Sequence, residues 1–192
     1  MAGRLTPPLI LASASPRRRQ LLRAAGIPFR VLASHVNEDS TIADPRRRAE
    51  ALALRKARAV AKSLRKGWVL GADTIVYGGG RFFGKAENSR QAYQMLYRLS
   101  GTRHRVITGV ALVEAGTRKP PLVRSESSTV FMKKLSLETL LRLSRKHRDK
   151  AGNYAIQERR DPIARVVSGS YDNVVGLPVA LVKKMLSDLP HP

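Results

Sequence analysis

Leu9-Ile-Leu-Ala-Ser-Ala-Ser-Pro-Arg-Arg-Arg-Gln-Leu-Leu-Arg-Ala-Ala-Gly26 holds a strand, a turn and a helix with both of its stops. Leu9–Ala12 is a short apolar run bounded by Ser13, the pattern of a strand buried on both faces. Ser15 stands before Pro16. A serine oxygen can accept from the free N–H groups of a first helical turn, and the fixed φ of proline suits the first helical position. The amphipathic run Arg17–Ala25 then predicts a helix, and Gly26 fits the C′ position. A buried strand that passes directly into a helix is the building unit of an α/β fold.

Working outward, Phe29–Ala33 reads as a second strand. Asp44-Pro45 opens a long helix rich in Ala, Leu, Arg and Lys, predicted to reach about Lys66, with Gly67 closing it. Trp68–Val76 predicts a strand, and Gly78-Gly79-Gly80 a turn before Arg81–Phe83. Asn88 caps a helix over Ser89–Leu99, with Gln91 at the capping-box position and Gly101 beyond its end. His104–Glu114 and Leu122–Lys134 predict two long strands joined by an exposed loop, Gly116–Pro121. Ser136–His147 predicts a helix. Tyr154–Gln157, Ala164–Ser168 and Asn173–Val175 read as short strands, and Val179–Leu189 as a final helix. Strands and helices alternate early, whereas consecutive strands dominate the middle. The expected fold is α/β with a mixed β-sheet flanked by helices, in one domain over residues 1–192.

Composition narrows the function. The chain carries 36 Lys+Arg against 14 Asp+Glu, a formal net charge of +22. Such charge can bind phosphate backbones. Here it is dispersed over Arg17–Arg19, Arg46–Arg48, Lys133–Lys134 and Arg145–Lys150. Aromatics are only 5% and no aromatic-basic motif occurs, so nucleic acid is not expected as the main ligand. A basic field also attracts a small anionic substrate. There is no cysteine, which excludes a disulfide scaffold, a thiolate metal site and a cysteine nucleophile. The four histidines show no metal spacing, and neither a nucleophile elbow nor a His-Glu-x-x-His motif is present. No run approaches the ~20 apolar residues of a membrane helix. Met1–Pro8 has a single Arg and the apolar stretch behind it stops at Ser13, so the chain is read as cytoplasmic, without a secretory leader.

Five segments are candidates for chemistry. Ser13-Ala-Ser-Pro-Arg-Arg-Arg19 joins a strand to a helix N-terminus, where N–H groups, hydroxyls and guanidiniums suit a phosphate; it also reads as ordinary capping with surface arginines. Gly71-Ala-Asp73-Thr74 places a carboxylate in an apolar run, where burial demands a cation, a metal or a cleft, unless Asp73 merely ends a strand. Lys85 follows Gly84 and, alone, reads as surface. Gln157 ends the short run from Asn153 and carries an amide able to read a base edge. Gly169–Pro178 is a structured crossover loop.

Taken together and in order, these segments resemble the Maf family of nucleoside triphosphate pyrophosphatases. The matching stretches are Leu11–Arg18, Leu70–Val76, Gly84-Lys85, Met95–Gly101, Asp149–Gly152, Ile156-Gln157, Gly169–Tyr171 and Asn173–Pro178. The resemblance implies an elongated mixed sheet in two lobes with the active site in the cleft between them. It implies hydrolysis between the α- and β-phosphates with a divalent cation, Mg²⁺ or Mn²⁺, and homodimers are common in the family. The catalytic Asp falls on Asp73. Phosphate-binding residues fall on Ser13, Arg18, Lys56 and Lys85. A second acid, a metal ligand with Asp73, falls on Glu38. Arg17, Thr74 and Gln157 match the branch that acts on dTTP and UTP. The usual Gly-Ile-Gln-Gly is Ala155-Ile-Gln-Glu158 here, and Ala86 replaces the proline after the lysine. The competing classes are a basic nucleic-acid-binding module and a pyrophosphatase for non-standard purine triphosphates.

Overall fold

The computed structural model describes residues 9–146, 150–156 and 163–189. The elements are β1 (Leu9–Leu11), α1 (Pro16–Ala24), β2 (Phe29–Val31), α2 (Pro45–Ala61), β3 (Gly67–Gly78), β4 (Arg81–Phe83), α3 (Ser89–Leu99), β5 (Arg103–Ala115) and β6 (Leu122–Met132). There follow α4 (Leu137–Ser144), a 3₁₀ turn (Ala151–Asn153), β7 (Ala164–Ser168), α5 (Tyr171–Val175) and α6 (Val179–Ser187). Caps fix the helix starts as the sequence implies. Ser15, Asp44 and Asn88 accept from the N–H groups of Arg18, Arg47 and Gln91.

The strands form one mixed seven-stranded sheet in the order β2-β1-β3-β5-β6-β7, with β4 added to β3. β1 pairs parallel with β2 and β3; the other pairings are antiparallel. One detail of register makes the site. β1 covers the free edge of β3 at Val69 and Leu70, and β4 covers the same edge from Val76 to Gly78. Between them, Gly71–Ile75 has no strand partner on that side among the described residues.

Two cores lie on either side of this gap. Toward β1, Leu70, Ala72, Val110 and Leu112 pack under α1 and α6, while Val69, Ala111 and Ala115 pack under α2. Toward β4, Val76, Val106, Val130 and Met132 meet α3 and α4, and Ile75 and Ile107 meet Ala49 and Leu52. The period-2 alternation of β3 and β5 decides which face each residue serves.

Helix α2 touches the sheet backbone directly. A Cβ on Gly71 would stand 2.2 Å from the Ala53 carbonyl oxygen, and one on Gly109 would stand 2.3 Å from the Ala49 carbonyl. The seam of small residues Ala49, Ala53, Ala57 and Ala61 completes this approach.

Three expectations are corrected. α2 ends at Ala61, not near Lys66: Ser63 and Leu64 bond back to Val60 and Ala61, and the turn delivers Gly67 (φ +120) to its pairing with Ala115. Helix propensity yields there to sheet register. Asn173–Val175 lies in helix α5, not a strand, because Ser170 Oγ accepts from the Asn173 N–H and Gly176 (φ +127) ends the turn. Tyr154–Ile156 is irregular, and Gln157 lies outside the described residues. Among the described residues, no helix is long and apolar enough to cross a membrane.

Candidate active site

The gap beside Gly71–Ile75 opens into a cleft of about 650 Å³. Its walls come from the β1–α1 turn, the β2–α2 connection, α2, β3, β4, the segment around Tyr154 and the end of α5.

Asp73 lies opposite Gly109, and its side chain shares the sheet face covered by α2. It is buried, as is Lys56 on α2. Lys56 Nζ donates to Asp73 Oδ1 at 2.6 Å and lies 2.8 Å from Glu38 Oε1, so one ammonium bridges two carboxylates. A buried charge without a partner is strongly disfavoured, so each member requires the others. Lys85 Nζ stands 3.6 Å from the second Glu38 oxygen. Arg55 holds the connection that carries Glu38, donating through Nη1 to the Asn37 and Asp39 carbonyls. Burial alone would raise the Glu38 carboxyl. The hydrogen bond and charge of Lys56, with Lys85 and Arg18, outweigh it and hold the group below the usual carboxylate range.

On the other face of β3, Arg18 reaches from the first turns of α1. Its Nη1 donates to Ser13 Oγ at 3.0 Å, Nη2 to Thr74 Oγ1 at 3.1 Å and Nε to the Gly176 carbonyl at 2.8 Å. Burial draws its guanidinium below the ordinary value, with the Asp73 charge opposing. Arg17 Nε donates to the Val175 carbonyl. Thr74 Oγ1 lies 3.0 Å from Thr108 Oγ1, and Thr108 Oγ1 donates to the Asn173 carbonyl at 3.0 Å. A hydroxyl has one proton. Thr108 gives its own to Asn173, so the Thr74 proton goes to Thr108 Oγ1 or to the Gly176 carbonyl 3.5 Å away, while Thr74 Oγ1 accepts from Arg18 Nη2. Asn173 is fixed in turn by Nδ2 bonds to the Val106 carbonyl and Ser128 Oγ.

The structure therefore gathers Ser13, Arg17, Arg18, Glu38, Lys56, Asp73, Thr74 and Lys85 around one cleft; only Gln157 lies outside the described residues. Sequence reading missed Thr108 and Gly109, which lets α2 approach, and singled out the loop that holds Asn173 without its part, shared with Thr108, in orienting Thr74. A usable signal existed for Lys56 beyond resemblance: it is a lysine on the apolar stripe Ala49, Leu52, Ala53, Ala57, Val60. Asn153, from the base-reading candidate, is instead buried and donates to the Leu143 and Lys146 carbonyls at the end of α4.

The carboxylates suit a hard divalent cation. Asp73 and Glu38 each put an oxygen within 2.8 Å of the same ammonium, so that cation stands where both could ligate. Among the described residues no group of three or more His, Cys, Asp or Glu is arranged to hold a metal. Two carboxylates with phosphate oxygens and water completing the shell is the arrangement Mg²⁺ favours.

Beneath the cleft, the Tyr154 hydroxyl lies 2.7 Å from His104 Nε2, and His104 Nδ1 has no hydrogen-bond partner among the described residues. Burial pushes His104 down to about 4 and raises Tyr154. The folded state thus holds His104 neutral, whereas the unfolded chain protonates it near 6.5. The unfolded state binds the extra proton between those values, so stability falls as pH drops from about 6.5 to about 4. Chemical denaturation should show a loss of about 2 kcal/mol between pH 7 and pH 5, largely absent in His104→Gln. A wild-type profile flat over that interval would contradict the burial assigned to His104.

An α/β sheet whose edge opens into a cleft of paired carboxylates and cations defines the class. A solved HAM1 protein from Coxiella burnetii shares this fold, with a TM-score of 0.54 at 16% identity over 95% of this chain and 99% of that one. The chain belongs to the Maf-like protein family, whose model matches residues 8–189. It is 46% identical to a dTTP/UTP pyrophosphatase of Symbiobacterium thermophilum over 96% of this chain and 95% of that protein. The corresponding protein of Moorella thermoacetica is 43% identical, with 93% of each chain covered. That of Thermococcus kodakarensis is 39% identical over 92% of this chain and 94% of the relative.

Proposed function

We propose that this protein is a nucleoside triphosphate pyrophosphatase that hydrolyses dTTP and UTP to the monophosphate and pyrophosphate. The observation that carries the reading is the buried Lys56 bridging Asp73 and Glu38, with Lys85 alongside. The names of the family relatives supply the substrate class.

A triphosphate brings several negative charges, and the cleft supplies Lys56, Lys85, Arg18 and the Ser13 hydroxyl to meet them. Substrate phosphates compete with Asp73 for Lys56. Released from that ion pair, Asp73 accepts a proton from water as the water oxygen attacks phosphorus at the α–β bridge. The bridging oxygen leaves with the other phosphate group, its charge offset by the lysines. Asp73 and Glu38 would hold a divalent cation, which when bound neutralises phosphate charge and polarises the attacked group.

For the base, Thr74 Oγ1 keeps an acceptor lone pair beyond its contact with Arg18, its proton going to Thr108 or to the Gly176 carbonyl. An acceptor suits the N3–H of uracil or thymine and opposes the bare N3 of cytosine. Gln157 carries both a donor and an acceptor, the pair such an edge calls for, and Arg17 lines the cleft. A site built on such pairing rejects bases that leave a group unpaired.

The test is a panel of dTTP, UTP, CTP, ATP, GTP and a deaminated purine triphosphate, assayed for pyrophosphate release with Mg²⁺, Mn²⁺ or EDTA. Release from dTTP and UTP should dominate, vanish in EDTA and return with either metal. Preference for a purine triphosphate would overturn the base reading. Undiminished turnover in chelator would remove the metal.

A further inference from the structure

We infer that Arg48 binds the terminal phosphate of the substrate, the end that leaves in pyrophosphate; this rests on the reading above. Arg48, Leu52 and Lys56 are spaced i, i+4, i+8 on α2, and all three line the cleft. Arg48 therefore stands on the same wall as Lys56, two turns and about 12 Å of helix rise away. That wall is the Asp73 side of β3, opposite the Thr74 side assigned to the base. A phosphate chain anchored at Lys56 and Lys85 meets Arg48 at its far end.

The side chain is already posed. Its guanidinium carbon lies 4.4 Å from the centre of the Phe82 ring on β4, and Phe82 is itself braced by Tyr77 at 5.1 Å between ring centres. A ring beneath the guanidinium carbon occupies none of its N–H donors with an acceptor, and those donors form the fork that matches phosphate oxygens. Among the described residues no hydrogen bond or ion pair engages the Arg48 guanidinium, which meets the Phe82 ring. Lys56 and Lys85 are, by contrast, engaged by carboxylates, and Arg18 by neutral acceptors. Three arginines crowd the first turn of α2, where the helix dipole disfavours cations and Asp44 supplies the capping carboxylate. An arriving phosphate would relieve that repulsion.

The experiment measures calorimetric binding of inorganic pyrophosphate and of dTMP, each with Mg²⁺, together with the KM for dTTP. Arg48→Met should weaken pyrophosphate binding and raise KM about tenfold, the scale of a charge-assisted contact, with dTMP binding unchanged. Arg48→Lys should recover part of the loss, since it keeps the charge without the fork. Phe82→Leu should move pyrophosphate binding the same way, less strongly, and serves if Arg48→Met does not fold. Unchanged pyrophosphate affinity in folded Arg48→Met, or equal weakening of dTMP, would overturn the assignment. Absence of dTTP turnover in the unmodified protein would instead overturn the substrate reading, while the pyrophosphate titration still decides Arg48.

Discussion

Asp73→Asn should leave a folded protein with at least about a hundredfold less turnover of dTTP. Asparagine keeps the size of the side chain and a carbonyl oxygen for Lys56, and Lys56 retains Glu38 at 2.8 Å. No buried ammonium is then left without a carboxylate, so the melting temperature should move by only a few degrees. What disappears is the basic oxygen that takes the proton from water, and positioned general bases contribute about 10²–10⁴-fold. The measurement is kcat at saturating dTTP alongside circular dichroism. A folded variant with unchanged kcat would transfer the role to Glu38.

Gly109→Ala and Gly71→Ala should be nearly as damaging without altering any polar group. The added methyl on residue 109 meets backbone atoms of Ala49 and Glu50 at 2.3–2.6 Å, and that on residue 71 meets Ala53 and Ala57 backbone at 2.2–2.8 Å. Backbone cannot swing aside as a flexible side chain does, so α2 itself must lift. Overpacking of this kind costs about 1–3 kcal/mol, or several degrees in melting temperature at this chain length. Lifting α2 also withdraws Lys56 from Asp73, and misplacement by about 1 Å can cost about 10²-fold in rate. Both losses should appear together, with kcat measured well below the lowered melting temperature. A normal melting temperature in either variant would be incompatible with the close seating of α2.

Much of this was legible in the chain because it is local. Ser15, Asp44 and Asn88 act within three residues of themselves, so their helices could be placed from sequence. Asp73 stood out as a charge within an apolar run. What escaped reading depends on register. Thr108 matters only because β5 sets it opposite Thr74, and Gly109 only because α2 crosses there. The β-branched pair Val174-Val175 favoured a strand, yet a serine cap and a following glycine were enough for a short helix. Arg48 read as one charge among many, since nothing in the chain itself reveals its seat on Phe82.

The pairing of β3, β5 and β6 has a mechanical consequence. β3 and β5 stay in register from Gly67–Ala115 to Tyr77–Arg105, past both walls of the cleft, and β6 continues the ladder from Leu112–Leu122 to Arg103–Phe131. The two cores flanking the cleft thus share one continuous ladder, with no linker in it among the described residues to act as a hinge. Opening them as rigid jaws would mean breaking ladder bonds in the best-buried strands. Admission of substrate and escape of product are left to small changes of sheet twist and to the segments at the rim, chiefly the connection bearing Glu38. Cycling should therefore leave amide exchange in β3 and β5 unchanged while altering it in that connection.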